Sequence, residues 1–259
     1  MNAQRAIIGV SLKMYFDPAR SVEWSRRVAE LARTHPAITG GGVRLVVLPS
    51  MPVIRDVVEV FDDTLVAVGA QDLFWEDRGP YTGAISGSDL KQIGCEYVEI
   101  GHIERRRLFG EDDHMVNLKV KAALRNDLTP LLCIGEADQG PVADAAADCI
   151  AQLELALAGV EAPGAETKPV PLVIAYEPSW AIGVQQPASA EHVIGVTTIL
   201  RTWLEARPSS QGASLIYGGS AGEGLLTALD GAGDGLFLGR FAHDALALKA
   251  ILDEALQLR

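Results

Sequence analysis

Eight short apolar or β-branched runs recur along the whole chain, at residues 6–12, 43–48, 65–68, 97–100, 130–134, 170–176, 214–217 and 235–238, each followed by a helical or turn-rich stretch. A strand with one solvated face alternates apolar and polar residues. These runs need not, because both faces of a parallel sheet are covered. Eight βα units in succession predict an α/β protein in which the strands close into a (βα)8 barrel. Segments 21–33, 143–158, 190–206 and 242–258 carry the apolar periodicity of helices. No linker, low-complexity tract or charge block divides the chain, so residues 1–259 are expected to form a single domain. Two loops, 71–86 and 178–187, exceed a minimal βα turn, and their aromatic and apolar content predicts that they dock against something.

Composition narrows the partners. A formal net charge of -12 argues against a nucleic-acid surface, which needs an excess of Lys and Arg. It leaves open a small phosphorylated ligand, for which backbone N–H groups and one or two cations suffice. The three cysteines, Cys95, Cys133 and Cys149, form no C-x-x-C pair and read as buried free thiols. No apolar stretch approaches a membrane span, and the short run at 6–10 ends too soon for a signal peptide. A cytoplasmic protein with no membrane partner is expected.

The polar residues fall at telling places. Lys13 follows the first run, His102 the fourth and Glu177 the sixth; Gly218-Gly219-Ser220 follows the seventh and Gly239-Arg240 the eighth. In a barrel all five features converge on the carboxyl-end face, where active sites of this architecture lie and where the last two loops hold phosphate. Taken singly, each has a plainer reading: a solvated lysine, a capping histidine, a glycine turn. Glu177 is less ordinary, because a carboxylate between an apolar run and Pro178 would be partly desolvated and so more basic. Cys133 reads as packing and Glu136 as a structural hydrogen-bonding group.

Longer motifs resemble one family. Gly101-His102-Ile103-Glu104-Arg105-Arg106 resembles the G-H-S-E-R-R of triosephosphate isomerases, and Ala175-Tyr176-Glu177-Pro178-Ser179-Trp180-Ala181-Ile182-Gly183 their A-Y-E-P-x-W-A-I-G. Lys13-Met14, Gly69-Ala70-Gln71, Tyr81-Thr82-Gly83, Leu132-Cys133-Ile134-Gly135-Glu136 and Tyr217-Gly218-Gly219-Ser220 extend the likeness in order over essentially the whole chain. The resemblance implies a TIM barrel that moves a proton between adjacent carbons of a small sugar phosphate, with no cofactor and no metal. Glu177 would be the base, and Lys13, oriented by Glu104, would stabilise the enediolate. His102 would polarise the carbonyl as a neutral imidazole at a helix N-terminus, the arrangement for which triosephosphate isomerase is itself the standard illustration. Ser11, Gly218 and Gly219 would line the substrate site, and backbone N–H groups at Gly183, Ser220, Gly239 and Arg240 would bind phosphate. Pro178, Ser179, Trp180, Ala181, Ile182, Gly183 and Val184 would form a lid latched by Tyr217 and Ser220. Loop 71–86 would insert into a partner subunit, making a homodimer.

Four positions depart from the glycolytic pattern. Ser11 stands where the family's N-W-K has Asn, Ile103 replaces the Ser of G-H-S-E-R-R, Arg240 replaces a glycine, and Ala84 replaces the acid of T-G-E. None is Lys13, His102 or Glu177, so the chemistry is expected to persist while the pocket changes. The pattern resembles a branch of the family acting on four-carbon ketose phosphates in erythritol-type catabolism, which interconverts L-erythrulose 1-phosphate and D-erythrulose 4-phosphate. Triose phosphate is the alternative substrate. A Schiff-base aldolase using Lys13 is disfavoured by the adjacent Glu104, since such lysines need a setting that lowers their pKa. A metal site at His102 and Glu104 lacks a third ligand at a readable spacing. A non-catalytic phosphate-binding barrel is disfavoured by the intact trio and lid motif.

Overall fold

In the computed structural model, which describes residues 6–160, 170–183 and 188–258, eight parallel strands close into a barrel in chain order. They are β1 (Ala6–Ser11), β2 (Val43–Leu48), β3 (Ala67–Ala70), β4 (Tyr97–Ile100), β5 (Thr129–Ile134), β6 (Val173–Tyr176), β7 (Ser214–Tyr217) and β8 (Gly235–Leu238). Pairing of β1 with β8, from Ile7 opposite Gly235 to Val10 opposite Leu238, completes the ring. The expected third run at 65–68 is displaced: Leu65 is half exposed, and the strand begins at Ala67. The sixth begins at Val173 rather than at residue 170, because Pro171 has no N–H to give the ladder.

Alternation along the strands separates two apolar clusters. One set, including Ile7, Val46, Leu131, Ala175, Ile216 and Phe237, fills the barrel interior. The other faces outward and meets the helices. Interior packing depends on absent side chains as well as present ones. A Cβ at Gly9 would come within 2.7 Å of the Phe237 ring, and one at Gly69 within 2.9 Å of Tyr97 Cβ. Glycines on β1 and β3 therefore make room for large neighbours on β8 and β4.

The helices start where local chemistry directs. Helix Pro18–Thr34 begins three residues before the expected 21–33, because Asp17 accepts from Arg20 N and Pro18 suits the first turn. The last helix runs Ala245–Gln257, shorter than 242–258, because Asp244 caps it by accepting from Leu246 N. The preceding residues, Arg240–His243, instead form a 3-10 turn at the barrel rim. Trp24 Nε1 donates to Ala242 O at 2.9 Å and so ties the first helix to that turn. All three cysteines are buried and free. Loop 71–86 folds partly on itself, with Phe74 and Tyr81 rings 4.7 Å apart and Asp77 held by Arg125 and Asn126.

Candidate active site

The carboxyl-end face opens into a cavity of about 790 Å³. Lys13, His102, Glu104, Glu177, Ser11, Gly183, Gly218, Gly219, Ser220, Gly239 and Arg240 all line it, so one space gathers every candidate catalytic and phosphate residue. Ile103, Tyr15, Arg107 and Phe241 line it too, and of these only Ile103 stood out in the sequence.

Lys13 directly follows β1 and sits at φ 46°, a left-handed conformation that side chains rarely adopt. Such strain persists only where surrounding contacts hold it. Gln71 Nε2 donates to Lys13 O at 3.1 Å and to Leu48 O at 3.0 Å, and Lys13 Nζ donates to Glu104 Oε1 at 2.8 Å. Burial would lower the Lys13 pKa, but the hydrogen bond to Glu104 and the charges of Glu104, Glu177 and Glu99 together raise it. The ammonium is thus kept charged.

His102 caps helix Ile103–Phe109, and its Nδ1 accepts from Glu104 N at 3.2 Å. A nitrogen that accepts carries no proton, so in the neutral ring the N–H is on Nε2. That Nε2 lies 3.4 Å from Glu177 Oε2. Desolvation, aided by the Lys13 charge and opposed by Glu104, pushes the His102 pKa down to about 4. The imidazole is therefore neutral throughout the physiological range.

Glu177 stands just past β6, its N–H donating to Ile134 O at 2.7 Å. Its side chain is buried, and Oε2 makes no hydrogen bond among the described residues. Two glycines create its position. A Cβ at Gly135 would overlap the Glu177 carbonyl, and one at Gly218 would lie 2.5 Å from Glu177 Oε1. Desolvation above all, then the charge of Glu99, raises the Glu177 pKa well above the ordinary value, with Lys13 opposing. A carboxylate so placed is a stronger base than one in water.

The segment after Glu177 is fixed from below. Residues Ser179–Ala181 form a 3-10 turn; Trp180 Nε1 donates to Glu136 Oε1 at 2.8 Å, and Ser179 N to Glu136 O at 2.9 Å. Tyr176 Oη and His192 Nε2 contact the same Oε1 at 3.1 and 3.2 Å. Glu136 is thus a hydrogen-bonding hub, as its sequence position suggested. Ser220 Oγ donates to Ala181 O at 3.0 Å, joining the β7 loop to this segment, while Tyr217 Oη fills the space that a side chain at Gly219 would need. Ile182 and Gly183 reach the cavity; Val184 lies outside the described residues.

Sequence reasoning passed over Glu99. It lies on β4 at an inward position between apolar neighbours, 3% exposed, and accepts from Ser11 Oγ at 3.0 Å. Its Oε1 is 4.0 Å from His102 Nε2. Burial drives its pKa up to about 7, with Ser11 and Lys13 opposing. The signal was present: a charged residue within a strand buried on both faces needs a reason. Gln71 was noted only as part of a motif, and nothing in the sequence tied it to the Lys13 carbonyl.

The chain is similar to known proteins over nearly its whole length. The sequence profile of the family described as "Triosephosphate isomerase" matches residues 6–255. The chain is 46% identical over 258 residues to the L-erythrulose-1-phosphate isomerase of Pectobacterium atrosepticum, covering 100% of this chain and 98% of that one. It is 39% identical over 244 residues to the protein of the same name from Rhizobium etli, covering 91% and 86% respectively. The triosephosphate isomerase of Thermoanaerobacter pseudethanolicus is also 39% identical, over 224 residues, covering 84% of this chain and 85% of that one. The crystal structure of triosephosphate isomerase from Bartonella henselae superposes with a TM-score of 0.79 at 24% identity, covering 98% of this chain and 99% of that one, a likeness of fold. By profile and by sequence, the chain belongs to the triosephosphate isomerase family and is an isomerase.

Proposed function

We propose that the protein interconverts L-erythrulose 1-phosphate and D-erythrulose 4-phosphate by proton transfer through an enediolate, without a cofactor. One juxtaposition carries the mechanism: the buried Glu177 carboxylate lies 3.4 Å from the neutral His102 ring, beside the Lys13 ammonium. Glu177 takes the proton from the carbon that bears the hydroxymethyl group. The C–H electron pair becomes a carbon–carbon double bond, and the carbonyl pair moves onto oxygen, stabilised by His102 Nε2–H and Lys13. A hydroxyl proton then passes between the two enediol oxygens, which His102 is positioned to relay. Glu177 returns its proton to the former carbonyl carbon, and the neighbouring oxygen becomes the new ketone.

Phosphate binds on the glycine-rich side, at the backbone of Gly183, Gly218, Gly219, Ser220, Gly239 and Arg240. Segment 178–184 acts as the lid that excludes water from the enediolate. The four-carbon substrate is favoured by the two relatives that bear that name and by Ser11, which is smaller than the family's Asn. Triose phosphate is the second reading, supported by the relative from Thermoanaerobacter pseudethanolicus and by the unaltered Lys13, His102 and Glu177. An amine nucleophile at Lys13 is disfavoured by the Glu104 pairing that keeps it protonated.

Steady-state kinetics on both substrates test the assignment. A kcat/KM for L-erythrulose 1-phosphate far above that for glyceraldehyde 3-phosphate is expected, and the reverse order would overturn it. We further infer a homodimer formed through loop 71–86, where Tyr81 is exposed, working in the cytoplasm. Among the described residues no helix is long and apolar enough to cross a membrane. A monomer in analytical ultracentrifugation at micromolar concentration would contradict the dimer.

A further inference from the structure

Ser11 and Glu99 come from β1 and β4, strands that are not neighbours in the ring, and meet just beneath the cavity floor. Ser11 lines the cavity, whereas Glu99 lies behind it. A carboxylate there is expensive. Its strand neighbours are apolar, its side-chain hydrogen-bond partner among the described residues is a single serine hydroxyl, and Glu177 adds a like charge, which the nearby Lys13 offsets only in part. An apolar side chain at this position would pack without that penalty. The residue therefore calls for a role that stability does not supply.

The direction of the bond suggests the role. A serine hydroxyl has one hydrogen and two lone pairs. Its hydrogen is given to Glu99 Oε2 at 3.0 Å. What remains for the cavity is acceptor capacity only. An amide at this position could donate to a carbonyl oxygen; a serine bound in this way cannot.

We propose that Ser11 and Glu99 form a specificity-determining pair. Glu99 acts as the positioning residue that takes the Ser11 hydrogen, and Ser11 accepts a hydrogen bond from a substrate hydroxyl. The hydroxyl in question is that of the additional hydroxymethyl group, which a three-carbon ketose phosphate lacks. This deepens the four-carbon reading of the site and rests on it. The effect on selectivity follows from general chemistry: a site group committed to accepting from a substrate hydroxyl is left unpaired by an analogue that has none.

The test compares kcat/KM for L-erythrulose 1-phosphate and for dihydroxyacetone phosphate in the wild-type enzyme and in Ser11→Ala, Glu99→Leu and Glu99→Gln, each checked for a cooperative thermal transition. Ser11→Ala and Glu99→Leu are expected to lower the four- to three-carbon selectivity ratio about 10- to 100-fold, the first by removing the acceptor and the second by freeing its hydrogen. Glu99→Gln keeps a side-chain oxygen able to accept from Ser11 and is expected to retain the ratio within a few-fold. The loss in the first two variants should appear in KM as well as kcat, since a binding contact is removed. A fall of equal size for both substrates, or a ratio unmoved by Glu99→Leu and Ser11→Ala, would overturn the pair. A wild-type enzyme with no preference for the four-carbon sugar would overturn the substrate reading itself, and the pair with it.

Discussion

Charge is treated in opposite ways at the amino end of the barrel and around the base at its carboxyl end. At the amino end, charges close on one another: Arg44 pairs with Glu96, and Arg201 Nη2 meets Asp234 Oδ2 at 2.5 Å. Asp234 also accepts from Leu215 N at 2.6 Å, so this carboxylate helps secure the start of β7. At the carboxyl end, Glu99 and Glu177 are buried with one hydroxyl donor between them among the described residues, and burial holds both above the ordinary carboxylate range. His102 is held below its own ordinary value at the same rim. The first arrangement stabilises a fold. The second keeps groups away from their preferred ionisation, as proton transfer requires.

This contrast can be broken by substitution. The largest effect is expected at the carboxyl end, where His102→Gln should lower kcat about 1000-fold, within the usual range for an acid–base group, while phosphate binding persists. Stopped assays with L-erythrulose 1-phosphate, alongside inhibition by inorganic phosphate, measure both. A second effect concerns stability and has a definite sign. Because the folded pKa of Glu99, about 7, lies above its ordinary 4.5, the native state retains a proton that the unfolded chain has lost. Stability therefore falls as pH rises between about 4.5 and 7, and the penalty is complete above that window. Glu99→Gln should then stabilise the protein at pH 8 by up to roughly 3 kcal/mol and give little at pH 4. Denaturant titrations at the two pH values read this directly, and equal gains at both would contradict it.

Gly218→Ala should act through Glu177, whose Oε1 lies 2.5 Å from the added Cβ. Displacing the base by about 1 Å should reduce kcat on the order of 100-fold with little change in melting temperature. The smallest effect is expected at the other end. Arg44→Ala removes a partly exposed ion pair with Glu96, so stability should fall by about 1 kcal/mol and kcat should be unchanged. A comparable loss of activity in Arg44→Ala would erase the distinction between the ends.

The sequence carried the barrel because eight apolar runs and their helices report burial directly. Lys13, His102 and Glu177 were legible because each follows a run, and strand ends of a barrel share one face. Boundaries were less legible. Asp17 and Asp244 set helix starts through single hydrogen bonds, and Leu65 is apolar yet lies outside its strand. Glu99 was hidden for another reason: its significance depends on Ser11, 88 positions away, and only closure of the barrel brings them together. Gln71, holding the strained Lys13 backbone, is a contact of the same kind.

The central claim is that Glu177 moves the substrate proton. Incubation of L-erythrulose 1-phosphate in deuterium oxide, followed by proton NMR, tests it most directly. Wild-type enzyme should exchange the proton on the carbon bearing the hydroxymethyl group while D-erythrulose 4-phosphate accumulates. Glu177→Gln, folded and still binding inorganic phosphate, should lose both signals together. Undiminished exchange in Glu177→Gln, or isomerisation by that variant at the wild-type rate, would contradict the account.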